Sequence, residues 1–181
     1  LSGSTLSNSR IYQNNLDGTG SENGGGIYGG GTITNCLIYE NTSNNDGGGI
    51  SGGGNISSCR IYSNTAELGY GGGLYVRDAP ITVSNCTIYS NISPGGGIFI
   101  WGPFNNACVF TNTVMYDEGA AIYSFKNYEG GLEINNCTIV GNLAGLYLYR
   151  NELVNIRNSI ISDNSWDIYV QASNSICADV T

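Results

Sequence analysis

The chain is poor in residues that do chemistry. Its 181 residues include 14 Asp and Glu, 6 Lys and Arg, 6 Cys and no His. The missing His removes Ser-His-Asp and Cys-His nucleophiles and His-ligated metal sites. Glycosidase chemistry needs two carboxyls about 5 to 9.5 Å apart. The strand-like segments offer only isolated acids, such as Glu40 and Glu133, with Arg10 and Arg60 in non-adjacent repeats. No catalytic residue is assigned, and the chain reads as a non-enzyme. Asp17, Glu22, Asp46 and Glu67 fall in polar turns, where stacked carboxylates would attract Ca²⁺, a cation of about six to eight oxygen ligands. No D-x-D-x-D-G pattern organises them, so solvated acidic turns without a cofactor are expected, with Ca²⁺ as the alternative.

Recognition chemistry is better supplied. The segments WGPFNNA (101-107), SFKNYEGG (124-131) and LYRNE (148-152) carry Trp101, Phe104, Phe125, Lys126, Tyr128, Tyr149 and Arg150, beside Glu129 and Glu152. Aromatic rings with a few mixed charges suit a sugar or protein contact; the competing reading is that these loops cover the flank of the fold. A net charge of -8 and a pI near 4.1 leave no basic footprint for a phosphate backbone, which excludes nucleic acid as a partner. No apolar run approaches the roughly 18 residues of a spanning helix. Leu1 to Arg10 lacks the basic and apolar regions of a signal peptide, so the chain reads as a mature protein or a fragment.

The elements that must position these residues announce themselves by repetition. A Gly-Gly-aliphatic triplet ends at Ile27, Ile50, Leu74, Ile98, Ile122, Leu146 and Ile168, at steps of 23, 24, 24, 24, 24 and 22 residues. It is strongest as GGGI at 24-27, 47-50 and 95-98 and fades to WDI at 166-168. A second column, in segments such as TNCLIYEN (34-41) and SNCTIYSN (84-91), runs Ser9, Cys36, Cys59, Cys86, Thr113, Cys137, Ser159 and Ser175. Two residues on stand Ile11, Ile38, Ile61, Ile88, Met115, Ile139, Ile161 and Cys177; three residues before stand Leu6, Ile33, Ile56, Val83, Phe110, Ile134, Ile156 and Ala172. The spacing of two marks a strand with one face inward. The odd spacing of three demands a tight turn, for which pairs such as Thr34-Asn35 are suited.

Each repeat therefore holds three short strands, and a unit that small buries its apolar residues only by stacking on its neighbours. The expected fold is all-β: a single domain over 1-181, a right-handed parallel β-helix of about seven and a half coils, roughly 35 Å long at about 4.8 Å per coil. Stacking turns columns into ladders. Asn14, Asn41, Asn64, Asn91, Asn142 and Asn164 form one, interrupted by Glu118, with amides bonding along the axis. Tyr12, Tyr39, Tyr62, Tyr89 and Tyr116 form an outward aromatic column; Tyr28, Tyr75, Phe99, Tyr123, Tyr147 and Tyr169 form a second, with Ser51 as its exception. Offset stacking that stiffens the rod and a flat sugar contact are both open for these rings. Cys36, Cys59 and Cys86 fall inward on consecutive coils, close enough for a disulfide, though free buried thiols are favoured. Of the sequons at Asn41, Asn55, Asn85, Asn91 and Asn136, the outward turn residues Asn85 and Asn136 would be the better acceptors.

The pairing of GGGI or GAAI with IYxN resembles the GGAI and FxxN repeats of polymorphic membrane proteins, and more broadly the parallel β-helix repeats of surface proteins and pectate-lyase-like enzymes. Ile11, Ile38, Ile61 and Ile88 stand where the FxxN repeat has Phe. The resemblance implies the solenoid and leaves its task open, since one solenoid hosts many functions. The first and last segments are equivalent elements. Ala172, Ser175 and Cys177 of one copy would continue the ladder over Leu6, Ser9 and Ile11 of the next, a heterologous contact that builds an open filament. The leading expectation is thus a non-enzymatic extracellular or cell-surface structural protein, partnered by itself end to end or forming a fibre stalk. The alternative is an adhesin or carbohydrate-binding segment that uses the aromatic loops, and the third reading is a polysaccharide lyase or hydrolase.

Overall fold

The computed structural model describes residues 3–18, 24–77, 79–102, 108–111, 114–116, 119–125, 131–149 and 154–171, apart from the side chains of Cys108 and Val114. Their regular structure is strand throughout, and every strand pair is parallel. The first sheet has seven strands: Ser4–Ser7, Gly31–Thr34, Gly54–Ser57, Ile81–Ser84, Cys108–Thr111, Leu132–Asn135 and Val154–Arg157. The second runs from Arg10–Tyr12 to Ile160–Ser162, and the third from Ile27–Tyr28 to Trp166–Gln171, each again with seven strands. Seven rungs are described, with six full turns between the first and last; the half-coil expected over 172-181 lies outside the described residues. The expected three strands per coil hold in the later coils. The first three coils carry a fourth, Asn15–Leu16, Thr42–Ser43 and Thr65–Ala66, which pair as a small sheet inside the long early turns.

Registers follow the columns of the repeat. Ile33 pairs with Leu6 and Ile56, and Ile61 with Ile38 and Ile88. Ile33, Ile56, Ile38, Ile61 and Ile88, with Leu74, Ile98, Ile122 and Leu146 of the third sheet, form one continuous buried core, against which Leu6 packs partly buried. The tight turn between the first two sheets places Asn8, Asn35, Ser58, Asn85, Asn136 and Asn158 at φ between 48° and 55°, a left-handed conformation that Asn tolerates best among residues with a side chain.

The Asn ladder is a buried hydrogen-bond column. Asn64 Oδ1 accepts from the backbone N–H of Asn41 at 3.1 Å and from its Nδ2 at 2.9 Å, and Asn91 Oδ1 does the same for Asn64 at 3.1 and 2.9 Å. Asn142 repeats the pattern on Asn164. At Asn164 the acceptor is instead Asp167 Oδ1, 3.3 Å from the backbone nitrogen and 3.0 Å from Nδ2, so a local carboxylate occupies the place of the next coil's amide. The triplet glycines leave room for this column. A Cβ on Gly49 would lie 2.6 Å from the Gly73 carbonyl oxygen and 3.0 Å from Asn64 Cγ, closer than any side chain is accommodated without a backbone shift.

The Cys column is a second polar ladder rather than a row of small hydrophobes. Cys36 and Cys59 N–H groups each donate to the next coil's sulfur at 3.4 Å, and Cys137 N–H donates to Ser159 Oγ at 3.0 Å. Each thiol donates in turn to the carbonyl two residues earlier, as Ser9 and Ser159 hydroxyls do. That two-way role explains why Ser9 and Ser159 share the column with Cys. Cys36, Cys59, Cys86 and Cys137 are buried thiols with no disulfide among them. The neighbouring Cys86 thiol and burial push Cys59 far above the ordinary thiol range, and burial pushes Cys36 up.

Candidate functional site

Both aromatic columns form, but they differ in what they leave open. On the second sheet the rings of Tyr12, Tyr39, Tyr62, Tyr89 and Tyr116 lie parallel, with centroids 4.8 to 5.1 Å apart and planes within 4°. The parallel stacking stiffens the rod, and only the end rings Tyr12 and Tyr116 rank as exposed. On the third sheet the register runs Tyr28, Ser51, Tyr75, Phe99, Tyr123, Tyr147, Tyr169. There the rings of Phe99, Tyr123, Tyr147 and Tyr169 are tilted against one another by 33° to 65° at 4.5 to 5.0 Å, so the faces of Tyr123, Tyr147 and Tyr169 are not sealed by parallel stacking.

A parallel column stands two residues on. Trp101 pairs with Arg77 and Phe125, and Phe125 with Tyr149. The Trp101 and Phe125 rings are 5.1 Å apart and tilted by 41°; Phe125 and Tyr149 stack at 4.6 Å. The Arg77 guanidinium sits 5.9 Å from the Trp101 ring centroid. The structure thus brings together Trp101, Phe125 and Tyr149 of the expected aromatic patch as a ladder on the sheet itself. Phe104, Lys126, Tyr128 and Arg150 lie outside the described residues. Neither column contains an acid.

The second column is not outward along its whole length. Tyr75 and Phe99 are 3% and 1% exposed, because the long turn between Ala66 and Gly72 folds over them and the Tyr70 ring stacks on Phe99 at 4.4 Å. Asp46 holds that turn through its Oδ1, which accepts from the Tyr70 N–H at 2.7 Å. Burial, with Asp46 nearby, pushes the Tyr75 hydroxyl up to about 12. From the fifth coil the equivalent turn shrinks to Leu143 and then Ser165, and the cover stops. The step leaves an open groove of about 400 Å³ with Tyr70 at one end, Tyr123 and Tyr147 along the floor, and Leu143 and Trp166 toward the other end. Burial, then the neighbouring Tyr147 and Tyr70, push Tyr123 up to about 12, and burial raises Tyr147. The Tyr147 hydroxyl donates to Gln171 Oε1.

Tyr70 and Trp166 were not among the residues singled out by sequence. The available signal was Trp166 standing in the triplet register of Ala120 and Ala144. Of the candidate Ca²⁺ ligands, Asp17 and Glu67 are exposed, Asp46 serves the turn, and Glu22 lies outside the described residues. Among the described residues no three Asp, Glu, Cys or His side chains converge. Of the end residues, Leu6 and Ile11 pack partly buried against the core and Ser9 bonds its own turn; Ala172, Ser175 and Cys177 lie outside the described residues. Asn41 and Asn91 are buried in the ladder, which removes them as glycan acceptors, whereas Asn55, Asn85 and Asn136 are exposed. Among the described residues no helix is long and apolar enough to cross a membrane.

Comparison with known proteins agrees with this architecture. The family model for the right-handed β-helix region matches residues 50–180. The chain belongs to that family, and the solenoid is a right-handed parallel β-helix. No curated protein and no solved structure matches the chain.

Proposed function

We propose that the chain is a non-enzymatic β-helix rod, of the cell surface or the extracellular space, that holds carbohydrate against the outer face of its third sheet. The observation that carries this reading is ring orientation. The second-sheet tyrosines close on one another within 4°, while on the third sheet Trp101 is tilted by 41° against Phe125 and the rings of Tyr123, Tyr147 and Tyr169 by 33° to 65° against their neighbours. Flat apolar faces with polar rims and a regular spacing suit a polymer of sugar rings, and aromatic anchors dominate such contacts. The face supplies rings rather than acid–base pairs, which favours binding over turnover. Retention on immobilised polysaccharides tests it. Wild type and Tyr12→Ala should be retained alike, and Trp101→Ala and Phe125→Ala should each reduce retention at least tenfold; equal retention of all four proteins would sink the reading.

The rod reading keeps an observation of its own. Ser4–Ser7 and Arg10–Tyr12 are edge strands of their sheets, with Leu6 and Ile11 only partly buried. Further coils, from a longer polypeptide or from a second copy, would continue both sheets there. Sedimentation and electron microscopy should show end-to-end rods; a monomer at every concentration removes self-assembly.

A further inference from the structure

The groove over the fifth to seventh coils differs from the rest of the aromatic face in being closed at one end. Its closure comes from turn length. Tyr70 belongs to the last of the long turns and stacks on Phe99 as a wall across the axis. Beyond it the floor consists of Ala120, Tyr123, Ala144 and Tyr147, small residues and tilted rings in alternation. Trp166, 53% exposed, flanks the far end, its ring 5.8 Å from Tyr169.

We propose that this groove is a terminal subsite for a neutral oligosaccharide, which takes the last two or three pyranose units of a chain lying along the rod axis and stops it at Tyr70. The inference rests on the reading of the third sheet as a carbohydrate-binding face. Length supports it: from Gly96 to Trp166 the groove crosses three rung steps, roughly 14 Å at about 4.8 Å each. A pyranose unit advances its chain by about one such step, so about two to three units fit. The volume of about 400 Å³ lies in the range of small-ligand sites, which are concave, mostly apolar and supplied with a few polar groups. Those groups are the Tyr123 hydroxyl, able to donate to a sugar oxygen, and the Tyr147 hydroxyl, which donates to Gln171 Oε1 and is left to accept from a sugar hydroxyl. Charge selects a neutral glycan. Among the described residues no Lys or Arg lines the groove, and the chain carries a net charge of -8, a field that repels uronates and sulfated sugars.

The two tryptophans separate this subsite from the rest of the face. The chain has 2 Trp, so Trp101→Phe leaves Trp166 as the only indole, and Trp166→Phe leaves Trp101. Titration with neutral tri- and tetrasaccharides of glucose, galactose, mannose and N-acetylglucosamine should shift Trp166 emission saturably in the Trp101→Phe protein. Gly119→Leu should weaken that binding at least tenfold. Gly119 is exposed, and the nearest atom to an added Cβ is Gly96 Cα at an ordinary 3.6 Å, so this variant fills the groove without disturbing the core. A Trp101 response in the Trp166→Phe protein with no Trp166 response in its counterpart overturns the subsite while leaving the face as the binding surface. Binding of acidic oligosaccharides as tightly as neutral ones overturns the charge selection. Silence from both indoles, with no retention on any polysaccharide, removes the subsite and the carbohydrate reading together.

Discussion

Replacing Asn64 by alanine removes one rung of a buried column. Asn64 is fully buried. Its Oδ1 accepts two bonds from Asn41, and its Nδ2 donates to the Ile38 and Tyr62 carbonyls at 3.0 and 3.1 Å and to Asn91 Oδ1. In Asn64→Ala the Asn41 backbone N–H loses its acceptor inside the core, and one Asn41 side-chain N–H loses its own. The other side-chain N–H still reaches the Ile11 carbonyl at 3.0 Å. Two orphaned donors at roughly 1 to 3 kcal/mol each give a loss of about 2 to 6 kcal/mol, centred near 4. Asn14 provides the internal comparison. It is exposed and, among the described residues, donates to Asn41 Oδ1 without accepting a ladder bond, so Asn14→Ala should cost less than about 1 kcal/mol. Guanidinium unfolding followed by circular dichroism measures both, and amide exchange at Asn41 localises the defect. Equal losses for the two variants, or a loss under about 1 kcal/mol for Asn64→Ala, would refute the claim that the buried ladder is a principal support of the rod.

Gly49→Ala should destabilise by about 1 to 3 kcal/mol through overpacking against the Gly73 carbonyl and Asn64; an unchanged unfolding midpoint contradicts the close approach. Tyr75 and Tyr123 are raised to about 12 from an ordinary value near 10, so the folded state prefers their protonated form. The stability this represents is complete below about pH 10 and is lost as pH rises toward about 12; an unfolding midpoint that is flat across that window contradicts it. Cys59→Ser should be tolerated better than Cys59→Ala in a thermal unfolding scan, because only a donor-acceptor side chain both accepts from the Cys36 N–H and donates to the Ser57 carbonyl. The four buried thiols Cys36, Cys59, Cys86 and Cys137 should react with a thiol reagent only after unfolding, and rapid labelling at any of these four positions in the native protein would count against the buried column.

The repeat was legible because each rung restates it. Ile61 falls between Ile38 and Ile88 as its position in the period requires, and the Asn and Tyr columns emerge from the same alignment. What the period could not convey is what happens where it breaks. Tyr75 and Phe99 share a column with Tyr123, yet a turn of non-repeating length buries the first two and stops short of the third. Tyr70 and Trp166 each occur once, Tyr70 in that turn and Trp166 in a triplet otherwise filled by small residues, so neither draws support from a neighbouring rung. The fourth strand was hidden for a related reason: Asn15–Leu16, Thr42–Ser43 and Thr65–Ala66 are two residues each, too short to show a period. The Cys column carried its own clue in Ser9 and Ser159, since a position that exchanges Cys with Ser selects a hydrogen-bonding group, not only a small volume.

The most direct test of the carbohydrate-binding face is a crystal structure of the protein with a neutral tetrasaccharide. Pyranose rings lying along the rod axis on Trp101, Phe125 and Tyr149, at about one unit per rung, are the predicted result. Sugar bound instead along the stacked second-sheet tyrosines, or none bound at saturating concentration, would contradict it.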